Sequence, residues 1–288
     1  MNADGQRSAL DSAPHAVTAA KATMHLRAAE YPAVQECLRL QAAAPPRSRL
    51  GRLFGFDPVP ARARSCYRGA LGEIAVAAIL RELGPDWFVL NSVPLDGDEG
   101  GTVDHVVIGP PGVFAITVHN RSGREVWVGG GVFLVDWQKE PCIATAEREA
   151  DRVAMLLTEA VGVPIDVAPC VVIVDPRSLT IAHPPRRVAL VTPRQLREWL
   201  TSRPAAYAAQ TVALLGMYAE ERSTWHEGAG EPDGLPPLAR FRRLQAEVAT
   251  ARRRRFVWTT SGIIAAWCAF FVCLGGAAVG VAQLFIPG

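Results

Sequence analysis

The chain has 288 residues, 30 Lys and Arg against 28 Asp and Glu, and a formal net charge of +2, which leaves room for one ordinary domain with flanking helices and argues against two full domains. Residues 1–68 carry 10 basic and 5 acidic side chains, residues 69–239 carry 13 and 22, and residues 240–255 carry 7 and 1. The middle of the chain is therefore a poor phosphate-binding surface, because non-specific nucleic-acid affinity comes from Lys and Arg displacing counterions. The 6 cysteines are scattered without Cys-x-x-Cys spacing, which speaks against a zinc ribbon or a disulfide framework.

The N-terminus has Asp4 and Asp11 and no apolar run, the wrong pattern for a secretory signal. Residues before Thr23 are expected to be disordered. Met24 to Leu40 has helical apolar spacing through Leu26, Tyr31, Val34 and Leu38, and a linker rich in Pro and Arg follows from Pro45 to Arg64. From Gly69 the pattern changes. Ile74, Ala77, Ala78, Leu80 and Leu83 predict a helical face, ended by Gly84-Pro85. An extended run, Phe88 to Leu95, and a loop, Asp96 to Gly101, lead into Thr102–Ile108 and Gly112–His119. These two runs are apolar at nearly every position and are joined by Gly109-Pro110-Pro111-Gly112, so they predict a hairpin of buried strands.

A second hairpin is expected over Glu125 to Trp137, turning at Gly129-Gly130-Gly131. An amphipathic helix follows over Pro141 to Val161, with Ala146, Val153, Leu156 and Leu157 inward and Glu147, Arg148, Asp151 and Arg152 outward. Cys170–Val174 and Val188–Val191 read as strands. Thr192-Pro193-Arg194-Gln195 is a capping box opening a helix over Arg194 to Leu200. Another helix is expected from Ala205 to Glu221, then a linker, His226 to Pro237, and a basic helix from Leu238 to Arg255. The fold class expected is α/β, one central mixed sheet flanked by helices, plus one C-terminal transmembrane helix.

That last expectation rests on Arg252–Arg255 followed by Phe256 to Gly288, which contains no charged side chain. Ile263 to Phe285 is long enough to cross a bilayer core as one helix. The adjoining arginines place the preceding chain in the cytoplasm, a single-pass protein of the cytoplasmic membrane with lipid as a partner. Gly276 and Gly280 form a Gly-x-x-x-Gly through which two such helices could form a homodimer.

Three segments in order, Gly69-Ala70-Leu71-Gly72-Glu73 opening a helix, Val103-Asp104-His105-Val106-Val107 on a strand and Gly112-Val113-Phe114-Ala115-Ile116 on the next, resemble the nuclease-related domain family, NERD. The similarity covers roughly Arg68 to Leu200. The expected division is residues 1–65 as an N-terminal region and linker, 66–203 as the NERD-like domain, 204–255 as a helical juxtamembrane region, and 256–286 as the membrane helix. The resemblance implies a restriction-endonuclease-like PD-(D/E)xK fold. In that fold a helix Glu, a strand Asp and a Glu-x-Lys on the neighbouring strand hold Mg²⁺ and activate water for phosphodiester hydrolysis. Glu73 and Asp104 match the first two positions, while the Glu and Lys positions hold Thr117 and His119.

If the hairpin closes with Ile108 opposite Val113, Asp104 lies across from Thr117 with His119 on the same face. Glu73 and Asp104 are then the candidate metal ligands, with weak Mg²⁺ or Mn²⁺ binding completed by water. His119 can replace the missing cation only when protonated or in a different geometry, and His119 with His105 offers nitrogen donors for Zn²⁺ or Mn²⁺ instead. His105 alternates with Asp104 across the strand, so it joins the same site only through a bulge. The carboxylate within an apolar strand calls for a reason, since a buried ion without partners is costly.

Of two readings the first is adopted and the second is the alternative. One is a domain with a degenerate centre, a binding or regulatory module for nucleic acid, a nucleotide or a protein at the membrane face. The other is an active metal-dependent nuclease whose altered centre uses Glu73, Asp104 and His119.

Overall fold

The computed structural model describes residues 32–95, 101–225 and 237–284, with side chains described no further than Phe271. The expected disordered N-terminus, the start of the helix from Met24, residues 96–100 of the acidic loop and residues 226–236 of the linker lie outside the described residues. The chain divides into two compact units. One comprises residues 1–37 and 65–233, the other 38–64 and 234–288.

In the first unit, helix α1 (Pro32–Ala42) contains a unit boundary, and α2 (Arg49–Leu53) belongs to the second unit. The rest of the first unit begins with α3 (Arg64–Leu80), then β1 (Phe88–Leu95), β2 (Gly101–Gly109) and β3 (Gly112–Asn120). After β4 (Glu125–Gly129), β5 (Val132–Val135) and β6 (Gln138–Glu140) come α4 (Cys142–Val161), β7 (Val167–Val174), β8 (Ser178–Ile181), β9 (Ala189–Val191), α5 (Pro193–Thr201) and α6 (Ala209–Glu220). The five-stranded sheet has the order β1-β2-β3-β7-β9, antiparallel through β3 and parallel beyond it.

Both faces of this sheet are covered, which is why its inner strands are apolar at consecutive positions. Val106, Ile108, Val113 and Ala115 pack with Val153, Leu156 and Leu157 of α4 and Leu215 of α6. The alternate residues Val107, Phe114, Ile116 and Val118 pack with Val76 and Leu80 of α3 and Leu196 and Leu200 of α5. Burial of each such large side chain contributes about 1.5–3 kcal/mol. The hairpin register is the expected one, with Ile108 opposite Val113, and α5 opens on the expected capping box, Gln195 Oε1 accepting from the Thr192 amide at 3.0 Å.

The expectation of one sheet needs correction. The β4–β5 hairpin belongs to a second, four-stranded sheet of order β6-β5-β4-β8. Its outer strands are three and four residues long and mostly exposed, so they lack the apolar runs by which strands are recognised in sequence. Val126, Val128, Phe133 and Val135 bury one face of this sheet against Cys142, Ile143 and Ala146 of α4 and Val171 and Ile173 of β7.

The second unit holds α2 and α7 (Pro237–Leu284), one continuous 48-residue helix in which the expected basic helix and the following apolar segment merge. The side chains of α7 cap the C-terminal end of α2, where helical carbonyls lack intrahelical partners. Arg254 donates to the Arg52 carbonyl at 2.8 Å, Arg255 to Gly55 at 3.2 Å, and Trp258 Nε1 to Leu53 at 3.0 Å. Gly55 makes the approach feasible, because its φ is +72° and a Cβ there would lie 2.3 Å from the Ala251 carbonyl.

The expected transmembrane helix is overturned: among the described residues no helix is long and apolar enough to cross a membrane. The charge-free part of α7 with described side chains runs only from Phe256 to Phe271 and includes Thr259, Thr260 and Ser261. Residues 272–286 of the expected span, with the Gly276 and Gly280 pair, lie outside the residues whose side chains are described.

Candidate active site

Helix α3 crosses β3 closely enough to place a carboxylate at the strand's end. A Cβ on Gly72 would come within 3.2 Å of Val118 Cγ1 and 3.3 Å of Asn120 Cβ, so a glycine permits this approach. The next residue, Glu73, is thereby buried to 7% exposure, and its Oε2 has no hydrogen-bond partner. Buried carboxylates in this state are unstable as ions without a cation or protons.

Asp104 sits where the sheet loses its regularity. The β1–β2 ladder skips the Ser92–Asp104 pair, Ser92 has φ +53°, and the β2–β3 ladder ends at His105 opposite Ile116. Across this point the side chains change face: Val103 packs in the same cluster as Val106 and Ile108, and Val93 in the same cluster as Phe88. Strict alternation would separate those residues. The expected backbone pairing of Asp104 with Thr117 therefore does not form. Instead the Val118 amide donates to Asp104 Oδ2 at 2.6 Å, the side chain taking over where the ladder stops. This is the irregularity that an Asp104–His105 site needs, yet His105 turns to a different partner: its Nδ1 lies 2.8 Å from Asn91 Oδ1.

Thr117, at the position where the resembling family has Glu, is bonded to a carboxylate that the sequence reading passed over. Its hydroxyl donates to Glu149 Oε2 at 2.5 Å. Glu149 belongs to α4, three residues after buried Ala146 and four before buried Val153. It lies on the inward stripe, and a charged residue at that spacing was the available signal. Consecutive residues of β3 thus hold two carboxylates, Thr117 holding Glu149 and Val118 holding Asp104.

His119 is not drawn into this group. Its ring lies 6.3 Å from that of Phe133 on the second sheet, and its Nε2 is buried without a partner. Burial, and then the nearby Arg121 charge, depress its pKa to about 4, so it is a neutral imidazole near pH 7. Arg121 itself is paired with Glu140. Burial depresses His105 further, to about 3.

The carboxyl groups are shifted the other way. Burial pushes Glu73 up to about 7. Asp104 is raised well above the usual carboxylate range by burial, then by the charges of Glu73 and Glu149, against the opposing Val118 hydrogen bond. Glu149 is raised by burial, offset by the Thr117 hydroxyl and Arg148. Among the described residues no group of three or more His, Cys, Asp and Glu is arranged to hold a metal ion. A two-carboxylate site nevertheless fits a hard cation such as Mg²⁺, which keeps several waters and uses one or two protein carboxylates plus substrate phosphate. Glu73, with its unpartnered oxygen, and Asp104 are the two carboxylates that could hold one.

Residues 68–174, just over a third of the chain, match the family model of the nuclease-related domain, NERD. The matched region runs from within α3 to the end of β7 and contains Glu73, Asp104, Thr117, His119 and Glu149. No curated protein and no solved structure matches the chain.

Proposed function

We propose that the nuclease-related domain is a divalent-metal-dependent phosphodiesterase acting on nucleic acid, with an altered centre built on Glu73 and Asp104. The observation that carries this reading is the unpartnered Glu73 oxygen, buried beside Asp104 at the end of β3. When bound there, Mg²⁺ or Mn²⁺ would polarise a phosphodiester oxygen and acidify a coordinated water. Glu73 and Asp104 supply the negative charge that retains the cation. The Val118 amide fixes the orientation of Asp104. The net negative charge of residues 69–239 repels phosphate, so substrate binding as well as cleavage depends on the cation.

A second reading, a binding or regulatory module that takes up metal and nucleic acid without cutting, is favoured by His119. A neutral imidazole set against Phe133 does not stabilise developing negative charge as the family's lysine does. Incubation of the full-length protein with labelled DNA and RNA in Mg²⁺ or Mn²⁺ separates the two. Cleavage abolished by EDTA and by Asp104→Asn supports the hydrolase. Metal-dependent retention of intact nucleic acid, lost in the same variant, supports the module. Neither activity in the wild-type protein overturns both.

A further inference from the structure

We propose that Glu149 is the third acidic residue of the metal centre, delivered from α4 in place of the carboxylate that β3 lacks at Thr117. This deepens the metal-dependent reading above and rests on it. Three geometric facts place Glu149 there. Its Oε2 accepts from the Thr117 hydroxyl at 2.5 Å, and Asp104 Oδ2 accepts from the very next amide of β3 at 2.6 Å. Glu149, itself half-buried, borders the buried stripe of α4 three residues after Ala146 and four before Val153, so its carboxylate faces the sheet rather than open solvent. Glu73 reaches the same strand end from α3, 7% exposed and with Oε2 unpartnered, so the cluster contains a buried acceptor still lacking a donor or cation.

The chemistry sets the role. Glu149 already spends one oxygen on Thr117, and no three acidic side chains are arranged as a direct cage among the described residues. Glu149 therefore acts as a positioning residue, accepting hydrogen bonds from water on a cation held by Glu73 and Asp104 and adding negative charge. Partners of this kind change metal affinity by about ten- to a hundred-fold when removed. Thr117 fixes its rotamer, so the Thr–Glu pair replaces a single strand carboxylate by a hydroxyl on the strand and an acid on the facing helix.

Mn²⁺ binding to the full-length protein, followed by electron paramagnetic resonance and calorimetry, tests the assignment. Glu149→Gln keeps an acceptor for the Thr117 hydroxyl while removing the charge, and is expected to weaken Mn²⁺ about tenfold or more with unchanged circular dichroism and Tm. Adding Thr117→Glu to Glu149→Gln puts a carboxylate on the strand and is expected to recover the affinity, which a packing role for Glu149 does not predict. Wild-type affinity in Glu149→Gln, or failure of Thr117→Glu to restore it, overturns the role of Glu149 while leaving the Glu73–Asp104 reading intact. Mn²⁺ uptake in the wild-type protein that is no stronger than in Asp104→Asn overturns that reading and this inference with it.

Discussion

Asp104 accepts the Val118 amide at 2.6 Å one step beyond the last β2–β3 pair, so its side chain completes a ladder that the backbone abandons. The carboxylate consequently has a structural duty and a charge, and the two can be separated. Asp104→Asn keeps an acceptor for Val118 and removes the ion; Asp104→Ala removes both. In metal-free buffer at pH 8, Asn is expected to be at least as stable as wild type, and Ala about 1–3 kcal/mol less stable than Asn because an amide loses its partner. Urea denaturation measures this. Equal stability of the two variants would show that the Val118 bond contributes nothing.

Glu73 makes the metal-free protein sensitive to pH. Its pKa is about 7 when folded against 4.5 as an unperturbed group, the shift being caused by burial. Below pH 4.5 both states hold the proton. Between 4.5 and 7 the unfolded chain releases it while the folded chain keeps it, so this contribution to stability is lost as pH rises and is gone above about 7. Glu73→Gln, which cannot ionise, should gain on wild type across that window, reaching about 3 kcal/mol at pH 8. A stability difference that stays constant from pH 4.5 to 8 refutes the buried-carboxylate account.

Three thiols should be inert in the native protein. Burial pushes Cys37 and Cys142 up to about 11 and Cys170 to about 12, so the reactive thiolate is scarce at pH 8. Iodoacetamide at that pH, followed by peptide mass spectrometry, is expected to leave all three unmodified until denaturant is added. Rapid native labelling of Cys170, wholly buried in the β3–β7 region, would contradict the packing described.

In the second unit, Gly55→Ala should disrupt the seat of α7 on α2. The residue has φ +72°, and the new Cβ would meet the Ala251 carbonyl at 2.3 Å and the Arg255 nitrogen at 2.5 Å. Backbone cannot yield as a flexible side chain does, and the left-handed conformation adds about 1 kcal/mol. Quenched or red-shifted Trp emission is expected as the Trp258 contact to Leu53 and Phe54 is lost. An unaltered spectrum and Tm would show that this contact is dispensable.

Periodicity made most of the first unit legible in the amino-acid sequence. The apolar runs Thr102–Ile108 and Gly112–His119 could be satisfied only by strands covered on both faces, and the turn between them set the register that placed Ile108 opposite Val113. Glu73 and Asp104 were visible for the same reason, as acids among apolar neighbours. Tertiary structure alone decided the rest. The switch of face at Ser92 and Asp104 arises from two strands distorting together, which neither strand's own pattern records. Glu149 met Thr117 because α4 packs its Ala146–Val153 stripe over β3, turning a residue 32 positions away into the hydroxyl's hydrogen-bond partner. The surroundings of His119 were also invisible, because its ring lies near Phe133 of a second sheet built partly of strands too short and too exposed to announce themselves. The arginines of α7 likewise reveal their work only in three dimensions: Arg254 and Arg255 satisfy carbonyls at the end of α2, a bond that depends on residues some 200 positions away.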